Sequence, residues 1–185
     1  MKHRSIVSTL LIVVVLSAAL VAPAAAGSSG LKLTGGIQLS APGWGDLTIW
    51  QQYNVQQVNA VTHAARGIVN WKIYSPNDGW RSIDARAICL AVTNQPDGSQ
   101  TAIVVARLIS VKGWGGGARG EYARFWLRDG GAPGSAGDQW MMQSYQWDPE
   151  WIEFWPADGA APDCESFNPD EPAFNVEHGN LAIHY

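Results

Sequence analysis

The chain has 185 residues, 46% of them hydrophobic, and a net charge of −4 from 12 Lys and Arg against 16 Asp and Glu. This balance does not support a basic face for a phosphate backbone, and no nucleic-acid partner is expected. The length fits about one domain with a sizeable core and no need of metals or many disulfides.

The first residues read as an export signal. Lys2, His3 and Arg4 form a basic zone, Ile6 to Val21 an apolar zone, and Ala24-Ala25-Ala26 a small-residue cleavage zone. The apolar run is shorter than the ~20 residues a spanning helix needs, and Pro23 closes it. Residues 1–26 are therefore expected to be a signal peptide and 27–185 a single secreted domain, extracellular or associated with the cell envelope, with no membrane span after cleavage. Losing Lys2 and Arg4 leaves 10 basic against 16 acidic residues, a mature net charge of −6. That charge is concentrated: residues 146–185 hold nine carboxylates and no Lys or Arg, whereas 27–145 carries +3. The acidic stretch is expected to pack over the sheet; a cation loop is the sharper alternative, without a DxDxDG spacing to support it. Two cysteines in an exported chain predict one disulfide, Cys89 to Cys164, which pins the acidic stretch to a core strand.

Alternating apolar and polar residues predict strands throughout. Leu31–Ser40 is the first, with a bulge or bend at Gly35-Gly36; Asp46–Tyr53 follows the turn Ala41–Gly45, with Leu47, Ile49 and Tyr53 on one face and Trp50 on the other. Residues 54–66 are read as extended chain or loop, with a short helix as the alternative. Gly67–Ser75 has Val69, Trp71 and Ile73 on one side and Lys72 and Tyr74 on the other, and Pro76-Asn77-Asp78-Gly79 reverses the chain. Ser82–Val92 places Ile83, Ala85, Ala87, Cys89 and Ala91 on one small-residue face; being apolar on both sides, it is a central strand. Pro96-Asp97-Gly98 turns it into Thr101–Val111, where Arg107 is expected to be buried against a carboxylate, Asp84 or an acid of the C-terminal stretch.

The stretch Gly120–Trp140 organises the rest. Ala123, Phe125 and Leu127 form a core face, and Tyr122, Arg124, Trp126 and Arg128 the opposite column; a glycine-rich turn between Asp129 and Asp138 leads into Asp138–Trp147. Trp151–Trp155 reads as a short strand or aromatic clamp, Pro156–Pro172 as an acidic loop, and Asn180–Tyr185 as a terminal strand. The whole predicts an all-β fold, an antiparallel β-barrel of roughly eight strands, with a two-sheet β-sandwich as the alternative.

Gly35-Gly36, IDARAICLAV at Ile83–Val92, AIVVARL at Ala102–Leu108 and FWLRDGGAPGSAGDQ at Phe125–Gln139 together resemble small exported bacterial proteins with post-COAP-type domains. Ala132 stands where an acid is common in the turn. The resemblance spans about residues 31 to 145 and implies secretion and β-structure, without an activity.

Chemistry is sparse. No G-x-S-x-G elbow, H-x-H or C-x-x-C occurs, and His63, His178 and His184 lie in no motif, so no cofactor or metal is expected. Asp129 and Asp138 are a candidate carboxylate pair for glycoside hydrolysis; the alternative is that each bonds turn amides. The ten tryptophans favour recognition. Sugar rings stack on flat aromatic faces, which makes Trp114, Trp126, Trp140 and Trp44 candidates, with Tyr122, Arg124 and Arg128 as a cation–π ladder beside them. The expected function is a secreted, non-catalytic β-domain binding a glycan or small apolar ligand through exposed aromatics, with a carboxylate-dependent, carbohydrate-active hydrolase as the alternative. Oligomeric state is not written in any of these patterns.

Overall fold

The computed structural model describes residues 30–113, 119–131, 137–144, 164 and 173–185. Among these residues nine strands form one antiparallel sheet: β1 (Lys32–Ala41), β2 (Leu47–Gln57), β3 (Ala65–Ser75), β4 (Gly79–Asn94), β5 (Gln100–Gly113), β6 (Tyr122–Asp129), β7 (Gln139–Ser144), β8 (Phe174–Asn175) and β9 (His178–His184). Their spatial order is β8-β7-β6-β5-β4-β3-β2-β1-β9, so a meander runs from β1 to β8 and the last strand returns to the first. The sheet curls strongly into a half-barrel, which decides between the two expected architectures: there is no second sheet among the described residues. The signal peptide, Trp151–Trp155 and all of Pro156–Pro172 except Cys164 lie outside the described residues.

Strand periodicity explains the curl's inner face. Leu33, Ile37 and Leu39 of β1, Ile49, Tyr53 and Val55 of β2, and Val69, Trp71 and Ile73 of β3 all point inward and are buried. Ala102, Val104 and Ala106 of β5 and Ala123, Phe125 and Leu127 of β6 complete this core. Residues 54–57, the least patterned part of the sequence, continue β2, because Val55 and Gln57 keep the inward parity and pair with Gly67 and Ala65. Gly35 does not create a bulge, since the register of β1 with β2 and β9 is unbroken. Its role is close approach. At φ 135°, a Cβ there would lie 2.1 Å from the carbonyl oxygen of Asn180 in β9.

The faces of β4 change partway along. Ala87 faces Ala106 and Cys89 faces Val105, which leaves Ile88 as an extra residue, a β-bulge. Before it, Ile83, Ala85 and Ala87 point inward; after it, Leu90 does. Cys89 and Ala91 are thereby moved to the outer face, contrary to the single face expected from simple alternation. There Ala91, Val105 and Cys164 make a small separate cluster, edged by Ile88, Cys89, Ile103 and Tyr122. The disulfide between Cys89 and Cys164 forms within it, with Cα atoms 6.2 Å apart.

Arg107 also departs from expectation. Its neighbours Ala106 and Leu108 point inward, so parity sends the guanidinium outward. There Nε donates to the carbonyl of Gly120 at 3.0 Å, and the charge lies 5.9 Å from the centre of the Tyr122 ring. No desolvated charge arises, and no carboxylate is required.

The two free edges of the sheet are brought together by one run of chain. The Val176 amide donates to the Asp138 carbonyl at 3.0 Å, and the next amide, Glu177, donates to the Gln38 carbonyl at 2.9 Å. Successive amides thus tie the β7 side to the β1 side.

The disulfide's contribution is testable. It spans 75 positions, for which loop-closure entropy gives about 4 kcal/mol. Replacing both Cys89 and Cys164 by Ser should therefore lower the urea midpoint by that equivalent while leaving the far-ultraviolet β signal intact. An unchanged midpoint would show that the bridge does not constrain the unfolded chain.

Candidate functional site

The glycine-rich turn is built around Asp129 and Asp138. Asp129 Oδ1 accepts from the Gly131 amide at 2.8 Å, and Asp138 Oδ1 from the Gly130 amide at 3.0 Å. Their second oxygens face β9. Asp138 Oδ2 accepts from the Leu181 amide and Asp129 Oδ2 from the Ile183 amide, both at 3.2 Å. Leu181 and Ile183 are two residues apart, so they present amides on the same edge of β9. All four carboxylate oxygens therefore accept backbone hydrogen bonds, leaving this pair poorly placed to act on a glycosidic bond. Burial pushes the Asp138 carboxyl up from its ordinary value; the Gly130 and Leu181 amides pull it back, and the charge of Asp129 adds to the rise.

The outer column of β6 is present as predicted, opposite the buried Ala123, Phe125 and Leu127. Its members do different things. Tyr122 lies beneath the Arg107 guanidinium, and Arg124 is only 4% exposed. Arg128 is committed to the β4–β5 hairpin: Nη2 forms an ion pair with Asp97, and Nε donates to Ser99 Oγ at 3.1 Å. Asp97 is held below its ordinary value, first by the Ser99 hydroxyl and amide and then by Arg128. Tyr122 and Trp126 are both partly exposed. Trp114 lies outside the described residues.

Trp140 is not on the outer surface. It points into the barrel and is fully buried, because Asp138, Trp140 and Met142 share the inward parity of β7. Its Nε1 donates to Gln51 Oε1 and, at 3.0 Å, to the Tyr53 hydroxyl, which itself donates to Gln51 Oε1 at 2.5 Å. Burial raises the Tyr53 phenol well above its ordinary value, with the Trp140 N–H opposing. Trp44, carried by the short 3₁₀ turn Pro42–Trp44, is partly buried; its ring meets Phe174 at 5.0 Å and Trp140 at 5.9 Å between centroids. Further along the same face, Ala87, Ala106 and Ala123 form a cross-strand row of small buried residues on β4, β5 and β6.

An aromatic surface missed by the sequence reading lies on the outer face of β2–β4. Trp80 is 57% exposed and Tyr74 is 37% exposed. The hairpin closed by Pro76–Gly79 pairs these two directly, and their rings are 5.3 Å apart. Trp50, on β2, leans across β3 to reach Trp80, with ring centroids at 5.0 Å and an angle of 34° between the planes. Three large rings from three adjacent strands thus form one continuous outer patch. The pattern had put Trp50 and Tyr74 on outward faces; the cue left unused was the turn, whose register sets Trp80 opposite Tyr74.

Among the described residues, no group of three or more His, Cys, Asp or Glu is arranged to hold a metal ion, and no helix is long and apolar enough to cross a membrane. Comparison with known proteins yields no match among family models, curated proteins or solved structures. The case for a function thus rests on the chain's own residues.

The carboxylate assignment predicts a specific loss. In Asp138→Asn one of the two accepting oxygens becomes an N–H donor facing a backbone amide, a change expected to cost about 1–3 kcal/mol at neutral pH. The pH dependence has a definite sign. A carboxyl raised in the folded state binds its proton more readily there than in the unfolded chain, so its contribution grows as pH falls through the window just above the ordinary Asp range. Urea titrations of both proteins across that window should show wild type gaining stability relative to Asp138→Asn on acidification. A constant difference would refute the assignment.

Proposed function

We propose that this chain is a secreted, non-catalytic β-domain that binds an extended ligand, a glycan, through aromatic rings on the outside of its sheet. The observation that carries the reading is the Trp50–Trp80–Tyr74 patch. Large aromatics left at a surface cost hydration free energy, and contiguous ones mark interaction sites more often than isolated ones do. Rings fixed on strands bind at low entropic cost, since only two side-chain torsions per residue need ordering. A sugar's C–H face fits such a platform, and its hydroxyls remain free for polar neighbours.

Secretion is supported by the basic, apolar and small-residue zones of residues 1–26 and by the disulfide, which persists in an oxidising compartment. The resemblance to exported bacterial β-proteins points the same way. Against the hydrolase alternative stand the backbone amides of the turn and of β9, which bond all four oxygens of its carboxylate pair.

The test is a glycan array read alongside intrinsic tryptophan fluorescence. Trp80→Ala removes a ring that is mostly exposed and should leave the fold intact. It should weaken the best glycan at least about tenfold, as truncation of a central contact residue does, and abolish the fluorescence change. Undiminished binding by this variant would remove the platform from consideration.

A further inference from the structure

The aromatic patch has charged neighbours whose arrangement narrows the ligand class. On the outer face Trp50 pairs with Lys72, Lys72 with Ser82, and Ser82 with Lys112, so one cross-strand row runs through β2, β3, β4 and β5. Tyr74 and Trp80 occupy the adjoining outward row. Both lysines are exposed. Among the described residues neither ammonium has a carboxylate within ion-pair distance. The nearest outward acid in register, Asp84, accepts from Asn70 Nδ2 at 2.6 Å. Lys72 and Lys112 are separated by two strand spacings, about 10 Å, and Ser82 lies between them.

We infer that the ligand is an acidic polysaccharide: its sugar rings stack on Trp80, Tyr74 and Trp50 while uronate carboxylates on neighbouring rings meet Lys72 and Lys112. This inference rests on the aromatic-platform reading and adds to it the charge of the ligand. Two cations with no ion-pair partner among the described residues, set beside three rings, match a chain that repeats a ring and a carboxylate along its length. A neutral glycan would use the rings alone. A polyanion without rings would use the lysines alone. The chain's net negative charge does not oppose this, because the carboxylates are concentrated in residues 146–185 while 27–145 carries +3.

Polygalacturonate and its fully methyl-esterified form share a backbone and differ in charge, so they separate the two contributions. Wild type should bind the free acid more tightly than the ester, and that preference should shrink between ~0.01 and ~0.15 M salt, as the screening length falls from about 30 to 8 Å. Lys72→Gln with Lys112→Gln should weaken the free acid by about two- to fivefold per lysine, the range of exposed ion pairs. The same double variant should leave the ester's affinity unchanged. Trp80→Ala should weaken both polymers. Polyglutamate, charged but ringless, should not compete. Equal affinity for acid and ester, an unaffected double-lysine variant, or effective competition by polyglutamate would each overturn the acidic-polysaccharide inference. The first two leave the platform standing, whereas a Trp80→Ala variant that binds both polymers normally overturns the platform itself.

Discussion

The hydrogen bonds from the Leu181 and Ile183 amides to the carboxylates of Asp138 and Asp129 are the interaction on which the rest of this structure depends. An antiparallel sheet that curls has to do something with its two edges, and an unpaired row of amides is both costly if buried and prone to pairing with another chain. Here the outer edge of β9 meets side-chain oxygens in place of another strand. The same turn also uses Gly130 and Gly131 to fill the remaining oxygens, so four acceptors and four donors are matched. Val176 and Glu177 continue the closure by bonding to opposite edges in succession. The barrel is thus latched by acids drawn from the glycine-rich turn, which gives the two aspartates of that turn a structural role.

Closure has consequences on both sides of the sheet. Inside, it confines Trp140, Tyr53 and Gln51 to a hydrogen-bonded group, and it buries Arg81, whose guanidinium is held below its ordinary value by burial and supported by the charge of Glu121. Outside, it leaves a convex surface on which two kinds of neighbourhood form. Around β4–β6 the bulge at Ile88 turns Cys89 outward, and the disulfide holds Cys164 against Ala91 and Val105. Around β2–β4 Trp80 touches Trp50 and Tyr74 yet stays more than half exposed among the described residues. The proposed recognition surface therefore lies on the outer face.

Period-two alternation made most of the strands legible, including their burial: Phe125 inward and Trp126 outward could be read directly. The glycine and proline turns were equally legible, because each follows from a backbone conformation that few residues adopt. The bulge was not, since Ile88 is as apolar as its neighbours and pattern alone gives no sign that one residue lacks a partner. That single insertion moved Cys89 and Ala91 to the other face. Arg107 was misplaced for a related reason: a run apolar on both sides hides its own parity. The aromatic patch escaped because it is made by register across three strands, not by spacing along one. The reach of Asp129 and Asp138 to β9 escaped as well, for their partners lie 54 and 43 positions away.

Amide hydrogen exchange resolved by NMR tests the latch most directly. If the two aspartates close the barrel, the Leu181 and Ile183 amides are protected to a degree comparable with the amides of Ile49 and Val69 in the interior strands. In Asp129→Asn and Asp138→Asn proteins, protection is lost at the facing amide first. Fast exchange of Leu181 and Ile183 in the wild-type protein, with Ile49 and Val69 still protected, would show an open edge and contradict the account.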